Sequence, residues 1–546
     1  MSVLQRAPGG GSSRYDALLL FALAALFFVL TGAEPMWEGD SAQYTTIAVT
    51  GDILNIPSHA TYLAAGWLST SLLPGDHILA MRLLSWGFGA LGVAAVYLIV
   101  RYYTGSRVGS WLAGLVLMTA GEYWHLSTVI EVYAVQSGAL LLAFALWLYA
   151  EPRAGLPDAA FWHSRRAWAG MIGAGLLLAF AGLVSPASLA FLPMFLLGRD
   201  LHIPRRWLVI GAVAVLGVGA LSAVILAGPL LRGRAINFDT SFFLRNVTYT
   251  ALSLGLVTLA TLVMAGLSQL RVPDDPAATR RLRRFMLAVT LTVIVHLPFG
   301  LFIAIGPLLP IYGLLAAAFG VMLAWFVPQI GLSRTAARRL GIVLLVVVIL
   351  AGVGGVVGCQ LQPDFCGWFG EQWTEHQGDL LPMLLASALV PVGLVITWAI
   401  RRGNPAFDRS YLLRGGLVVV ASLIIGRYLV LEPRQTIATD LRAAIDILRE
   451  IDPPTEQIVG GFPELMIYDY YDLGYAPWPS EHLYAEDLTP ERFDAGIDEY
   501  GGMYVMGLWI WDDLARRGIQ QEEYTLTSLD GDKALWLVQH AATSTP

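Results

Sequence analysis

Apolar runs near the length needed to cross a bilayer recur along most of this chain, and few folds accommodate them. A hydrocarbon layer about 30 Å thick takes roughly 20 helical residues. Backbone inside it must find its hydrogen bonds within the protein. Runs of this kind fall at 16–33, 79–100, 107–121, 128–150, 167–183, 186–198, 207–230, 249–270, 285–304, 309–328, 340–357, 380–400 and 412–431. The short pair 167–198, joined at Ser185-Pro186, reads equally as a re-entrant hairpin. With 56% hydrophobic and only 14% charged residues, a string of soluble domains is excluded. The expected fold is an all-α polytopic membrane protein of about 13 transmembrane helices over residues 1–431.

Arginines fall in every second connection: Arg101/Arg107, Arg153/Arg165/Arg166, Arg199/Arg205/Arg206, Arg271/Arg280/Arg281/Arg283/Arg284, Arg334/Arg338/Arg339 and Arg401/Arg402/Arg409/Arg414. The positive-inside rule puts those connections in the cytoplasm. The N-terminus is then inside, while the 34–77 loop and everything after 431 lie outside, and an odd number of spans satisfies both ends. Arg6 and Arg14 precede the first run as in a signal peptide, but no small-residue cleavage pattern follows, so an uncleaved first span is expected. Cys359 and Cys366 share an outside connection, 358–378, where a disulfide survives; a pair of free thiols is the alternative. Asn246-Val-Thr248 is a glycosylation sequon on the same side.

From Glu432 onward the chain is no longer membrane-like. This tail holds 22 acidic against 7 basic residues, whereas the part before it holds 27 basic against 19 acidic. A tail so acidic argues against nucleic acid as a partner. Thr439–Ile451 carries Leu441, Ile445 and Leu448 at helical spacing. Strands are expected at Gln457–Gly461 and Met503–Gly507, and helices at Pro490–Tyr500 and Trp509–Gly518. Tyr524–Ser528 and Ala534–Gln539, flanking Asp530-Gly531-Asp532, read as a hairpin. The expectation for 432–546 is a small α/β domain outside the membrane. It has no glycine-rich phosphate loop, zinc-ligand spacing or nucleophile elbow.

The chemistry is expected in the first outside loop, 34–77. Glu34, Glu38 and Asp40 lie there, and no Lys or Arg follows until residue 82. Carboxylates beside a membrane span are costly to keep in lipid and sit in water or line a cavity. Asp40 is placed to accept a proton from a hydroxyl as general base. Glu38-Gly39-Asp40 has the spacing of a two-carboxylate clip for a divalent cation, and the bland reading is a pair of solvated loop acids. Glu131, in Ile130-Glu-Val-Tyr133, lies at the outer end of a span, where an ionisable group either snorkels or belongs to a site. Arg82, Arg232, Arg234 and Arg245 break the charge trend by lying outside. Guanidinium groups present a planar fork of donors that suits a lipid phosphate, although short outside loops tolerate some arginines. His59, His125 and His296 read more readily as packing or interfacial residues than as ligands. Trp37, Trp67, Tyr123 and Trp124 fit an interfacial aromatic belt, and such rings also stack on sugars.

Trp37-Glu-Gly-Asp-Ser-Ala-Gln-Tyr44, Asn55-Ile-Pro57 with Tyr62, Arg82-Leu-Leu-Ser85, Trp124 and Glu131-Val-Tyr-Ala134 together resemble the N-terminal half of protein O-mannosyltransferase-like enzymes of the GT-C superfamily. The likeness covers about residues 34–150. It implies a GT-C membrane fold and an inverting transfer of a sugar from a polyprenyl-phosphate carrier to an acceptor (protein, glycan or lipid) outside the cytoplasm, in a prokaryotic cell membrane. It gives Asp40 the role of base, and Glu38, two residues earlier, is read from its spacing as a helper. Gln43, His59, Tyr62, Trp124, Glu131 and Tyr133 are the substrate-positioning candidates, and Arg82, Arg232, Arg234 and Arg245, from their charge and their place outside, the phosphate-binding candidates. No nucleotide-binding fold is required. The sequence departs from the pattern at Gln43, where the family has a glutamate, and at Pro57-Ser-His59, where the histidine is displaced by one. A transporter or flippase for a lipid-linked or anionic substrate is the rival reading; it calls for inverted repeats and mid-membrane charges, and the charges here cluster at span ends.

Overall fold

In the computed structural model, residues 12–32, 39–56, 59–150, 165–198, 276–302, 309–326, 440–473, 482–507, 510–531 and 534–541 are described. Eight helices build the part that positions the site: α1 (Ser12–Leu30), α2 (Gly39–Thr50), α3 (Ala60–Leu72), α4 (His77–Thr104), α5 (Arg107–Thr119), α6 (Gly121–Thr128), α7 (Val132–Tyr149) and α8 (Arg165–Val184). Pro276–Phe302 and Leu309–Phe326 are further long helices. Among the described residues, α4 and α7 are long and apolar enough to cross a membrane, and Tyr15–Leu30, Arg107–Thr119, Trp168–Val184, Ala187–Leu197 and Leu309–Val321 are apolar but shorter.

α4 is the spine. Asp76 caps its start by accepting from the Leu79 N–H at 2.8 Å, and Gly105, at φ +65°, ends it in the left-handed conformation that favours glycine. Its 28 residues run for about 42 Å at 1.5 Å each, longer than the hydrocarbon layer. α4 and α7 meet through small residues, as helices in lipid do. A side chain at Gly138 would overlap the backbone of Phe88, and one at Gly92 would overlap the Tyr123 hydroxyl. That hydroxyl donates to the Gly89 carbonyl at 2.8 Å. At the other end of α1, Asp16 takes two hydrogen bonds from Arg107, at 2.7 and 2.6 Å, and one from the Tyr97 hydroxyl at 2.9 Å, which fixes α1, α4 and α5 together.

Several expected elements shift. The run 128–150 begins its long helix late, and a short helix fills the connection before it. Residues 121–128 form α6, Val129 and Glu131 are extended, and the long helix starts only at Val132. The run 186–198 is a 3-10 turn, Pro186–Phe191, followed by a six-residue helix, Leu192–Leu197, too short to cross a bilayer by itself. The loop 34–77 contains two helices, α2 and α3. In α2, Ser41, Ala42, Tyr44, Thr45, Ile47 and Ala48 are buried. That helical spacing was hidden because four of those six side chains, Ser41, Ala42, Thr45 and Ala48, are polar or small. The runs 207–230, 249–270, 340–357, 380–400 and 412–431 lie outside the described residues.

After residue 440 the chain forms a five-stranded mixed sheet in the order β2-β1-β3-β5-β4. The strands are β1 (Ile458–Gly460), β2 (Leu483–Tyr484), β3 (Met503–Met506), β4 (Tyr524–Ser528) and β5 (Leu535–His540). β1 pairs parallel with β2 and β3, and β5 pairs antiparallel with β3 and β4. Helix Pro490–Tyr500 has the bounds the sequence predicts, with Thr489 accepting from Arg492 at its start and Gly501 ending it at φ +74°. Helix Phe462–Leu473 and strand β2 were not expected. Leu441, Ala444, Ile445 and Leu448 from helix 440–451, with Leu465 and Met466, share one core with Ala42, Tyr44, Ile47, Tyr62 and Leu63 of α2 and α3. The sheet portion is thus packed onto the helices of the first loop.

Candidate functional site

The site is assembled where the start of α2 meets the extended segment before α7. Asp40 is exposed in the first turn of α2, where the positive end of the helix dipole favours a carboxylate. The next residue fixes the position: the Ser41 hydroxyl donates to the Ile130 carbonyl at 2.9 Å. Glu131, immediately after, caps α7, and its Oε2 accepts from the Val132 N–H at 2.5 Å. Only 6% of Glu131 is exposed, so the carboxylate is held in place by backbone and packing. Two acids far apart in sequence therefore stand on adjoining elements.

Two tyrosines stand near them: the charges of both acids reach Tyr44, and that of Glu131 reaches Tyr62. Tyr44 is one helical turn beyond Asp40, and its ring meets those of His59 at 5.7 Å and Tyr62 at 5.5 Å, both edge-on. Burial, then the charges of Glu131 and Asp40, hold the Tyr44 phenol well above the ordinary tyrosine range. Burial and Glu131 do the same to Tyr62. Both phenols thus remain protonated donors beside carboxylates, which can only accept. Among the described residues the buried Tyr62 hydroxyl has no hydrogen-bond partner. Tyr133, half-buried at the start of α7, adds to the same electrostatic environment around Tyr44. His59 sits at the start of α3, and its Nδ1 donates to the Val184 carbonyl at 2.7 Å, so one ring nitrogen ties α3 to α8. Gln43 is half-buried on α2.

A cationic corner lies one residue away along α4. Met81 fills the space beside Gly66 and Ala48, which locks α4 to the α2–α3 hairpin. Arg82, the next residue, turns to the end of α1, where its Cζ stands 4.7 Å from the Trp86 ring centroid. Trp124 is fully buried and donates from Nε1 to the Thr31 hydroxyl at 2.7 Å. Tyr123 and Trp124 are therefore interior residues and not members of an interfacial belt; of that group Trp67 is exposed, at 49%, and Trp37 lies outside the described residues. Their large rings fill the seam between α4, α6 and α1 instead. Glu38, Arg232, Arg234, Arg245, Cys359 and Cys366 also lie outside the described residues. His125 and His296 are buried, as packing histidines are. Among the described residues no group of three or more His, Cys, Asp or Glu side chains is placed to hold a metal ion.

Tyr44, Ser41 and the C-terminal cover were missed from sequence. Tyr44 falls four residues after Asp40, and reading the loop as a helix would have found it. The cover is helix Phe462–Leu473, which packs along α2. Its Tyr470 phenol is pushed up to about 12 by burial and then by Asp76, the residue that caps α4. Beneath it, Asp469 Oδ1 meets His482 Nε2 at 2.5 Å, and His482 Nδ1 donates to the Thr455 carbonyl at 3.1 Å.

Neither a protein-family model nor a curated protein sequence matches the chain. Solved structures do. The crystal structure of apo ArnT from Cupriavidus metallidurans matches with a TM-score of 0.55 and 15% identity, over 96% of this chain and 98% of that one. The same protein bound to undecaprenyl phosphate matches over 97% and 99%, again at a TM-score of 0.55 and 15% identity. The oligosaccharyltransferase AglB from Archaeoglobus fulgidus, in complex with an inhibitory peptide and a dolichol-phosphate, aligns at a TM-score of 0.37 and 12% identity, over 98% of this chain and 75% of that one. The fold of this chain is therefore that of ArnT.

Proposed function

We propose that this protein is a polyprenyl-phosphate-dependent glycosyltransferase that moves a sugar, with inversion, onto an acceptor outside the cytoplasm. The observation that carries the reading is the likeness, along nearly the whole chain, to ArnT, whose structure bound to undecaprenyl phosphate has the same fold. The arrangement of Asp40 and Glu131 supports it. Asp40 is exposed at a helix start, where an incoming hydroxyl reaches it, and takes that proton as the hydroxyl oxygen attacks the anomeric carbon. The bond from that carbon to the carrier phosphate breaks on the opposite face, which inverts the configuration. Arg82, with Arg232, Arg234 and Arg245, stabilises the departing phosphate.

Glu131, held by the backbone, and the protonated Tyr44 and Tyr62 hold the sugar. A carboxylate accepts and a phenol donates, which together match a hydroxyl group. Gln43, His59 and Tyr133 line the same region. Trp124 acts from behind, through Thr31. The sheet portion after residue 440 covers α2 and is suited to select the acceptor. The N-terminus faces the cytoplasm and the sheet portion the opposite side, as the arginine pattern requires.

Purified protein in nanodiscs, incubated with a panel of hexosyl and pentosyl polyprenyl phosphates, tests the reading. Mannosyl donors within the panel test the O-mannosyltransferase likeness. Asp40→Asn is expected to lower turnover by about 10²- to 10⁴-fold, the range of general-base catalysis. Normal turnover in Asp40→Asn would remove Asp40 as base. Chelator should abolish activity if Glu38 and Asp40 hold a cation, and unchanged turnover in chelator discards that clip.

A further inference from the structure

The Thr31 end of α1 is closed by side chains from two helices, α4 and α6. The Thr31 hydroxyl donates to the Phe27 carbonyl at 2.6 Å and accepts from Trp124 Nε1, so the last turn of α1 is fixed from two sides. Gly32 follows. A side chain added there would overlap Nη2 of Arg82, and would lie 3.6 Å from its Cζ and 3.0 Å from the Phe28 carbonyl oxygen. The guanidinium therefore occupies the space that any other residue at 32 would fill. Across from it is the Trp86 ring, one turn further along α4, at 4.7 Å. A guanidinium over an aromatic ring is attracted by the ring's π face, and the carbonyl end of a helix attracts positive charge. The headgroup is thus seated between a ring and a bare Cα, on a helix whose start is locked by Met81.

We propose that Gly32 is a positioning residue for Arg82: its missing side chain lets the guanidinium lie at the end of α1, oriented to grip the phosphate of the lipid-linked donor. The inference rests on the glycosyltransferase reading above and deepens it. Pre-organisation explains why the position matters. An arginine held by its surroundings loses less side-chain freedom when it closes on two phosphate oxygens. The closest obstruction at Gly32 is the tip of a flexible side chain, with the Phe28 carbonyl oxygen further off at 3.0 Å, whereas the closest obstruction at Gly138 is itself backbone. A methyl at residue 32 therefore moves the guanidinium and leaves the helices where they are.

The test is a double-mutant cycle on the full-length protein in nanodiscs, with undecaprenyl phosphate as probe. Gly32→Ala, Arg82→Gln and the double variant are compared with Gly87→Ala, a substitution on α4 that meets nothing within 4 Å. Arg82→Gln is expected to weaken undecaprenyl phosphate binding by tenfold or more, as loss of a charge-assisted contact does. Gly32→Ala should weaken it by about tenfold, raise KM for the donor with kcat retained, leave the thermal midpoint unchanged, and add nothing in the Arg82→Gln background. Binding by Gly32→Ala equal to wild type, additive losses in the double variant, or a lowered thermal midpoint would each overturn the proposal. If Arg82→Gln itself binds normally while wild type still transfers sugar, the role of Arg82 falls and that of Gly32 with it, but the enzyme reading stands. If Arg82→Gln fails and Gly32→Ala does not, the positioning role alone is lost.

Discussion

Gly138→Ala is the substitution for which the structure gives the sharpest physical consequence. An ideal Cβ at residue 138 would lie 2.7 Å from the carbonyl carbon of Phe88 and 3.1 Å from its Cα, and nearer still to its oxygen. Carbon atoms in contact settle at about 3.5 Å or more, so α7 and α4 must part by at least roughly 0.8 Å at this crossing, and by more to clear the nearer oxygen. Nothing at the contact is a side chain that can swing away. Overpacking of this kind costs about 1–3 kcal/mol, and more when backbone is the obstacle. Within a bilayer the loss is not recovered by apolar burial, because helix association there relies on close packing. Thermal unfolding in detergent, followed by loss of the monodisperse peak, measures the effect. Gly87→Ala on α4, and Gly175→Ala and Gly182→Ala on α8, meet nothing within 4 Å and serve as controls. They should be neutral or stabilising by up to about 1 kcal/mol, because alanine favours helix over glycine. If Gly138→Ala melts with the controls, α4 and α7 do not touch through backbone, and the frame that relates Glu131 to Arg82 is wrong.

Other expectations follow from the loop helices and their cover. Asp469→Ala leaves His482 buried with one partner removed, so it should destabilise by about 3 kcal/mol and loosen helix Phe462–Leu473 from α2; proteolysis within 440–541 reports this, and wild-type resistance would show that the pair is dispensable. Tyr44 and Tyr62 give an alkaline prediction. Their folded-state values are raised, so their contribution is fully present below the unfolded value near 10 and is lost as pH climbs toward the folded values. Each phenol should cost about 1.4 kcal/mol of stability per pH unit in that window. Unfolding of Tyr44→Phe between pH 9 and 11.5 should fall less steeply by one proton, and an unchanged slope would mean that Tyr44 ionises in the folded protein. Tyr62→Phe removes a buried hydroxyl that has no partner among the described residues, so its melting temperature should equal or exceed that of wild type, while KM for the sugar donor rises. A lowered melting temperature would reveal a structural partner.

The long helices were legible because spanning length and periodic apolarity leave little choice: α1, α4, α5, α7 and α8 all fall on expected runs. Their ends were less so. α4 begins at His77 because Asp76 caps it, and α7 begins at Val132 because Glu131 caps it. In both cases a polar residue that reads as loop is the first part of the helix. The same confusion hid α2, whose buried face includes Ser41 and Thr45. Their hydroxyls donate to the Ile130 and Ser41 carbonyls, so polar residues pack inside without penalty. Sequence singled out Glu131, Tyr62 and His59 individually, but only the fold brings them around Tyr44. The contact between Gly32 and Arg82 joins residues fifty apart, and no local pattern announces it.

α4 relates the two halves of the site. Met81 and Arg82 are consecutive, so they point about 100° apart around the helix. Met81 enters the α2–α3 hairpin that carries Asp40 and Tyr44, and Arg82 lies against the end of α1. A rotation of α4 that loosened Met81 would therefore also withdraw Arg82 from Gly32. Gly66→Ala separates these effects. Its added methyl would meet the Met81 sulfur at 2.7 Å and Ala48 at 3.1 Å, and methionine adapts its shape readily. The hairpin should then shift slightly against α4 while Arg82 keeps its seat. Turnover is expected to fall with undecaprenyl phosphate affinity retained, the converse of Gly32→Ala. Equal losses of turnover and affinity would show that the carboxylate half and the cationic half move as one piece, and that α4 does not act as the pivot between them.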